Sequence, residues 1–88
     1  MLRIDKSSNG HVTLFRLSGR IQSEHLPELQ RQIERCARKT VLNLEEVKLV
    51  DLATVQFLSL CESNGVELLN CPLYVREWIF QERNRDLA

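Results

Sequence analysis

Eighty-eight residues, 43% hydrophobic and 27% charged, are enough for one compact domain with one core, and they exclude intrinsic disorder and a second core. Twelve basic and twelve acidic side chains cancel, which removes the electrostatic case for nucleic acid or an anionic membrane as partner. No apolar run approaches the roughly 20 residues of a membrane span. The start of the chain, Met1 to Asp5, lacks the apolar stretch of a signal peptide. Three cysteines, Cys36, Cys61 and Cys71, make a poor disulfide framework, so the expected location is the reducing cytoplasm.

In chain order, Leu2 to Asp5 reads as a short strand, and Lys6 to Gly10 as a turn ending in Asn-Gly. His11 to Leu17, rich in β-branched and aromatic residues, completes an opening hairpin, with Gly19 ending its second strand. A helix is expected after Ser23 as N-cap, with Glu24 and Pro27 in its first turn. Leu26, Leu29, Ile33 and Cys36 give that helix one apolar stripe, and the basic stretch Arg35 to Lys39 complements the carbonyls at its end. Lys39 to Glu45 holds the run Val41 to Leu44 and suits a central strand; Val47 to Asp51 reads as the loop that leaves it.

Asp51 is placed to cap a second helix, Leu52 to about Ser63, which stops at Asn64-Gly65. Val66 to Leu69 is a further strand, and Pro72 opens a last helix that carries Val75, Trp78 and Ile79 on one side. Trp78 is expected in the core. Phe80, on another side, is expected to pack against the body, with docking of a second subunit as the alternative. The order β-β-α-β-α-β-α is an α/β arrangement, a single domain over 1–88, and strands separated by helices imply some parallel pairing.

At about 100° per residue, Ala53, Phe57, Leu58, Leu60 and Cys61 share a wide arc of the second helix, suited to packing on a sheet. Leu52 and Val55 fall instead among Gln56, Ser59 and Glu62. Two apolar side chains at an exposed helix start suggest a contact patch of Leu52, Val55, Gln56 and Ser59 with Asp51 at its rim; coverage by a neighbouring loop or the chain terminus is the alternative. The motifs of chemistry do not occur: there is no phosphate-cradling glycine loop, no nucleophile elbow and no Cys-x-x-Cys. His11 and His25 have no acid or cysteine at ligand spacing and are expected to face solvent. No enzymatic activity, cofactor or metal is expected.

The run Val41 to Asp51 resembles the strand and loop of STAS domains, the family that includes bacterial anti-sigma factor antagonists. Leu17-Ser18-Gly19-Arg20-Ile21 looks like that family's second strand and its exit, Asn64 to Leu68 is similar to its helix-to-strand step, and Cys71 to Ile79 resembles the start of its last helices. The resemblance, from about Val12 to Trp78, implies a mixed sheet with helices packed mainly on one face. It also implies a regulatory, partner-binding domain whose contact surface is the loop and helix start at 51–59, hence Asp51, Leu52, Thr54, Val55, Gln56 and Ser59.

The departures are as informative. Leu52 stands where the family carries its phosphorylated serine, Ala53 replaces the next serine and Thr54 the glycine, while Asn43 replaces the strand aspartate. Leu52 has no hydroxyl to phosphorylate, which leaves Thr54 as a candidate phosphoacceptor, although a helix-start threonine commonly bonds locally. Two partner classes follow from the resemblance: an anti-sigma factor or switch kinase, or, for a constitutive accessory subunit, the ATPase of an ABC-type lipid transport system. A homodimer is compatible with either.

Overall fold

The computed structural model describes residues 2–36 and 39–87, with the side chains of 85–87 excepted. Strand β1 (Leu2–Ser8) and strand β2 (Val12–Ile21) form the opening hairpin. Asn9 makes its turn: the side-chain Oδ1 accepts the backbone N–H groups of His11 (3.1 Å) and Val12 (3.0 Å), and Gly10 follows at φ +97°. A 3₁₀ turn (Ser23–His25) then leads into α1 (Leu26–Glu34), β3 (Lys39–Val50), α2 (Leu52–Ser63), β4 (Glu67–Leu69) and α3 (Leu73–Leu87).

The four strands form one mixed sheet in the order β1-β2-β3-β4. β2 runs antiparallel to β1 and parallel to β3, and β4 runs parallel to β3, so α1 and α2 are both crossover helices. Period-two alternation sorts the strand residues. Phe15 and Leu17 of β2 and Leu42 and Leu44 of β3 point to one face. There they join Leu29 of α1, Val55 and Leu58 of α2, and Val75 and Ile79 of α3 in a single buried cluster. The helices therefore lie on that face. Leu26, Ile33, Cys36 and Trp78 pack partly buried against the same cluster, as their helical spacing predicts. Among the described residues the opposite face is bare of helices: Arg3, Asp5 and Arg16 are exposed there, Leu14 is half-buried, and Val41 and Asn43 of β3 are buried between their neighbours.

Several boundaries differ from the sequence reading, each for a local reason. The α-helix does not begin behind a Ser23 N-cap. The 3₁₀ turn comes first, and half-buried His25 folds back to accept the Gln22 N–H at Nδ1 (3.1 Å), so it is a cap rather than a solvent-facing side chain. Part of the basic stretch, Ala37 and Arg38, lies outside the described residues. Gly19 does not end β2; at φ +91° it lets the strand continue to Ile21 through a bulge.

The loop expected at Val47–Asp51 is strand as far as Val50. Between Asn43 and Leu49 the register with β2 shifts twice, because β3 gains residues that have no opposite number. The second shift, between Val47 and Leu49, decides their fates: Val47 sits opposite Gly19 and is buried, whereas Leu49 sits opposite Arg20 and is 52% exposed. Simple alternation would have put both on one side.

Leu42→Ala, which empties a fully buried site between Phe15 of β2 and Leu68 of β4, is expected to lower unfolding stability by about 2–5 kcal/mol. Leu49→Ala is expected to change it by less than about 0.5 kcal/mol. Urea titrations followed by the fluorescence of Trp78, the sole tryptophan, check both; a core-sized loss for Leu49→Ala would contradict the outward turn of the bulge.

Candidate functional site

The β3–α2 junction is held by one carboxylate. Asp51 has extended backbone, and its Oδ1 accepts the N–H of Thr54 at 2.9 Å, the usual N-cap bond that satisfies a free first-turn amide. The same oxygen lies 2.6 Å from Thr54 Oγ1. The other oxygen, Oδ2, accepts the N–H of Ser23 at 2.9 Å, at the start of the 3₁₀ turn. Thr54 Oγ1 is also 3.1 Å from the carbonyl oxygen of Ile21, so its one proton bridges the carboxylate and the end of β2. These bonds join the exit of β2 to the start of α2 across the sheet. The Thr54 hydroxyl is the largest influence holding the Asp51 carboxyl below its ordinary value; partial burial opposes it, and the Thr54 and Ser23 amides add to the lowering.

This geometry divides the six residues read from sequence as a contact surface. Leu52 is 44% exposed and Gln56 is exposed. Asp51 is half-buried, with its carboxylate committed to the cap. Thr54 and Val55 are removed from the surface, since both are fully buried. Thr54 thus serves as a tether beneath the helix start, with its hydroxyl buried against Asp51 and the Ile21 carbonyl. Ser59 is half-buried under α3: its Oγ accepts from Arg83 Nε at 3.0 Å, and its carbonyl oxygen from Arg83 Nη2 at 3.2 Å.

The error in the helical arc has one cause. α2 packs on α3 as well as on the sheet, and this turns the buried side toward Thr54, Val55, Leu58 and Cys61. Glu62 stands on the α3 side, where Arg76 Nη1 reaches both its carboxylate oxygens at 2.9 Å and Arg83 Nη2 comes within 3.0 Å. Glu62 holds the Arg76 guanidinium even more firmly protonated than usual. Leu60, placed by the wheel on the sheet side, is instead 60% exposed. Leu52, Gln56 and Leu60 therefore make an outward ridge at four-residue spacing, and Leu60 is the member that sequence reasoning missed. Its signal was present in that spacing, but the position of α3 was needed to read it.

Beside the ridge, Ile33, Cys36, Phe57, Leu60, Cys61 and Val66 line a groove of about 320 Å³ between α1 and α2. Burial pushes the Cys61 thiol up to about 11, so it is protonated near neutral pH and a poor nucleophile. Burial also raises Cys71, with Arg76 opposing. Phe80, expected to pack against the body, is 63% exposed. Among the described residues no group of three or more His, Cys, Asp or Glu is gathered to hold a metal, and no helix is long and apolar enough to cross a membrane.

No protein-family model matches the chain, and no curated protein does. Solved structures do. One is the STAS domain of an anti-sigma factor antagonist from Rhodobacter sphaeroides, with a TM-score of 0.57 and 13% identity over 80% of this chain and 85% of that one. The fold is thus that of a STAS domain, as the strand, loop and helix pattern implied.

Two substitutions test the junction. Thr54→Val, which keeps the volume but removes the hydroxyl, is expected to cost about 1–3 kcal/mol. Asp51→Asn is expected to cost about 1–2 kcal/mol, because an amide cannot accept all three protons. A carboxyl whose folded pKa is depressed contributes stability above its unfolded value, near 3.8, and loses that contribution as pH falls through the folded value. Urea midpoints measured downward from pH 6 should fall less steeply for Asp51→Asn than for the unsubstituted chain; parallel acid limbs would show that Asp51 contributes none of the slope.

Proposed function

We propose that this chain is a non-enzymatic interaction domain that docks a partner protein through the outward ridge of α2, Leu52, Gln56 and Leu60, with Asp51 and Ser59 at its margins. The observation that carries the reading is the open outer side of α2. Leu52 and Leu60 remain 44% and 60% exposed on a helix whose other sides are packed. Covering what is still open on each leucine would contribute about 1 kcal/mol or more per residue, a driving force without a use in the isolated chain. The likeness in fold to an anti-sigma factor antagonist domain supports a regulatory or interaction role.

Docking of this kind is constitutive. Leu52 offers no hydroxyl, and the nearest one, on Thr54, is fully buried between Asp51 and Ile21. A phosphate there would meet the Asp51 carboxylate and could enter only if the helix start opened. Partners that read a permanent apolar ridge fit better than a kinase that switches it, which favours an accessory-subunit role with an ABC-type ATPase over a phospho-switched pairing with an anti-sigma factor. Such work belongs in the cytoplasm, where three unpaired cysteines are stable.

Leu52→Asp is expected to abolish partner capture and to shift the melting midpoint by no more than about 2 °C, since the side chain is not core. Quantitative mass spectrometry of affinity captures with the two chains, beside their thermal scans, decides the matter. Recovery of the same ATPase or sigma regulator by both, or a large fall in midpoint with capture intact, would remove the ridge as the docking site. After incubation with a switch kinase, no phosphate is expected on Asp51 to Val55.

A further inference from the structure

β1 lies at the edge of the sheet, so one side of this seven-residue strand presents N–H and C=O groups that no other described strand pairs. Its pairing with β2 fixes which way each side chain points. Leu2, Ile4 and Lys6 stand opposite Gly19, Leu17 and Phe15, on the helix-bearing face, and Lys6 Nζ lies 5.9 Å from the centre of the Phe15 ring. Arg3, Asp5 and Ser7 stand opposite Ser18, Arg16 and Leu14, on the bare face. Leu2 and Ile4 reach the core but remain half-buried at its margin. Arg3 and Asp5 form an exposed ion pair, Nε to Oδ2, at 3.3 Å.

We propose that β1 pairs antiparallel with β1 of a second copy of this chain, about a two-fold axis at Ile4, merging the two sheets into one. Charge complementarity along the edge argues for it. In this register each Arg3 stands directly opposite Asp5 of the second copy, and each Asp5 opposite its Arg3, so the two exposed ion pairs close into one four-charge cluster on the bare face. On the other face Ile4 meets Ile4 and Leu2 meets the aliphatic stem of Lys6, which completes the burial of the core's open margin.

Other registers are disfavoured. A slip of two residues sets Arg3 against Arg3 in one direction and Asp5 against Asp5 in the other, and like charges directly opposite destabilise a pair. A slip of one sets Ile4 against Arg3 or Asp5 and turns the helix-bearing face of one copy toward the bare face of the other. A two-fold interface must match its own patch, and the sequence Leu2-Arg3-Ile4-Asp5-Lys6 does so about Ile4 alone. The proposal is independent of the α2 ridge, which lies on the helix layer.

Charge reversal tests it by sedimentation equilibrium from micromolar to millimolar concentration. The unsubstituted chain is expected to dimerise. Arg3→Asp and Asp5→Arg, each alone, are expected to weaken self-association about tenfold or more by placing like charges opposite one another. Mixing the two variants should restore a dimer containing one copy of each, and the double reversal should restore self-association, with far-ultraviolet dichroism unchanged throughout. A chain that stays monomeric to millimolar concentration, single variants that associate as the unsubstituted chain does, or a mixture that forms no mixed dimer would each overturn the proposal.

Discussion

The structure turns on the Asp51 carboxylate. A parallel β-α-β connection returns the chain to the same end of the sheet each time, which brings the exit of β2 and the start of α2 side by side with unsatisfied backbone groups on both. Asp51 meets these needs together: Ser23 N–H on one oxygen, and Thr54 N–H and the Thr54 hydroxyl on the other. The hydroxyl's second neighbour, the Ile21 carbonyl, extends the link to the last residue of β2. Negative charge here is also favoured by the positive end of the α2 dipole. With this corner fixed, α2 is pinned at its first turn, and its direction over the sheet follows from where Val55 and Leu58 must go.

Thr54 acts from inside the helix start. Leu52 presents an apolar side chain outward, and Thr54 places a hydroxyl inside, where it strengthens the corner. A helix start so tied is held at both ends of the corner, by Ser23 and Ile21 on one side and by Thr54 on the other. The remaining side of α2 is fixed by α3, through Val75 and Ile79 in the core and through Arg76 and Arg83 on Glu62 and Ser59. Ser59, which the sequence places among solvent-facing residues, is therefore an anchor for α3.

Much of this was legible from residue order. The Val41–Leu44 run, the Leu26-Leu29-Ile33-Cys36 stripe, the Asp51 cap and the Asn64-Gly65 stop each depend on interactions within a few residues, and all stand where expected. What eluded the sequence depends on distant partners. The arc of α2 could not be placed without α3, because an apolar Leu60 is as compatible with an open side as with a covered one until its neighbour is known. Val47 and Leu49 could not be separated without β2, since only the pairing reveals the extra residues of β3. His25 looked idle because its acceptor role requires a 3₁₀ turn that the helix signal of Ser23 and Pro27 obscured.

The uneven lengths of the two central strands have a consequence of their own. β2 and β3 are matched at both ends, Val12 with Lys39 and Ile21 with Val50, although one has 10 residues and the other 12. The longer strand must follow the wider path, so the ribbon bows, and its slack is stored as local coiling and not as a loop. A residue added or removed between Asn43 and Asp51 would therefore exchange which of Val47 and Leu49 faces the core unless a further bulge compensated. The count of residues in this stretch is thus as much a part of the core's design as the side chains that fill it.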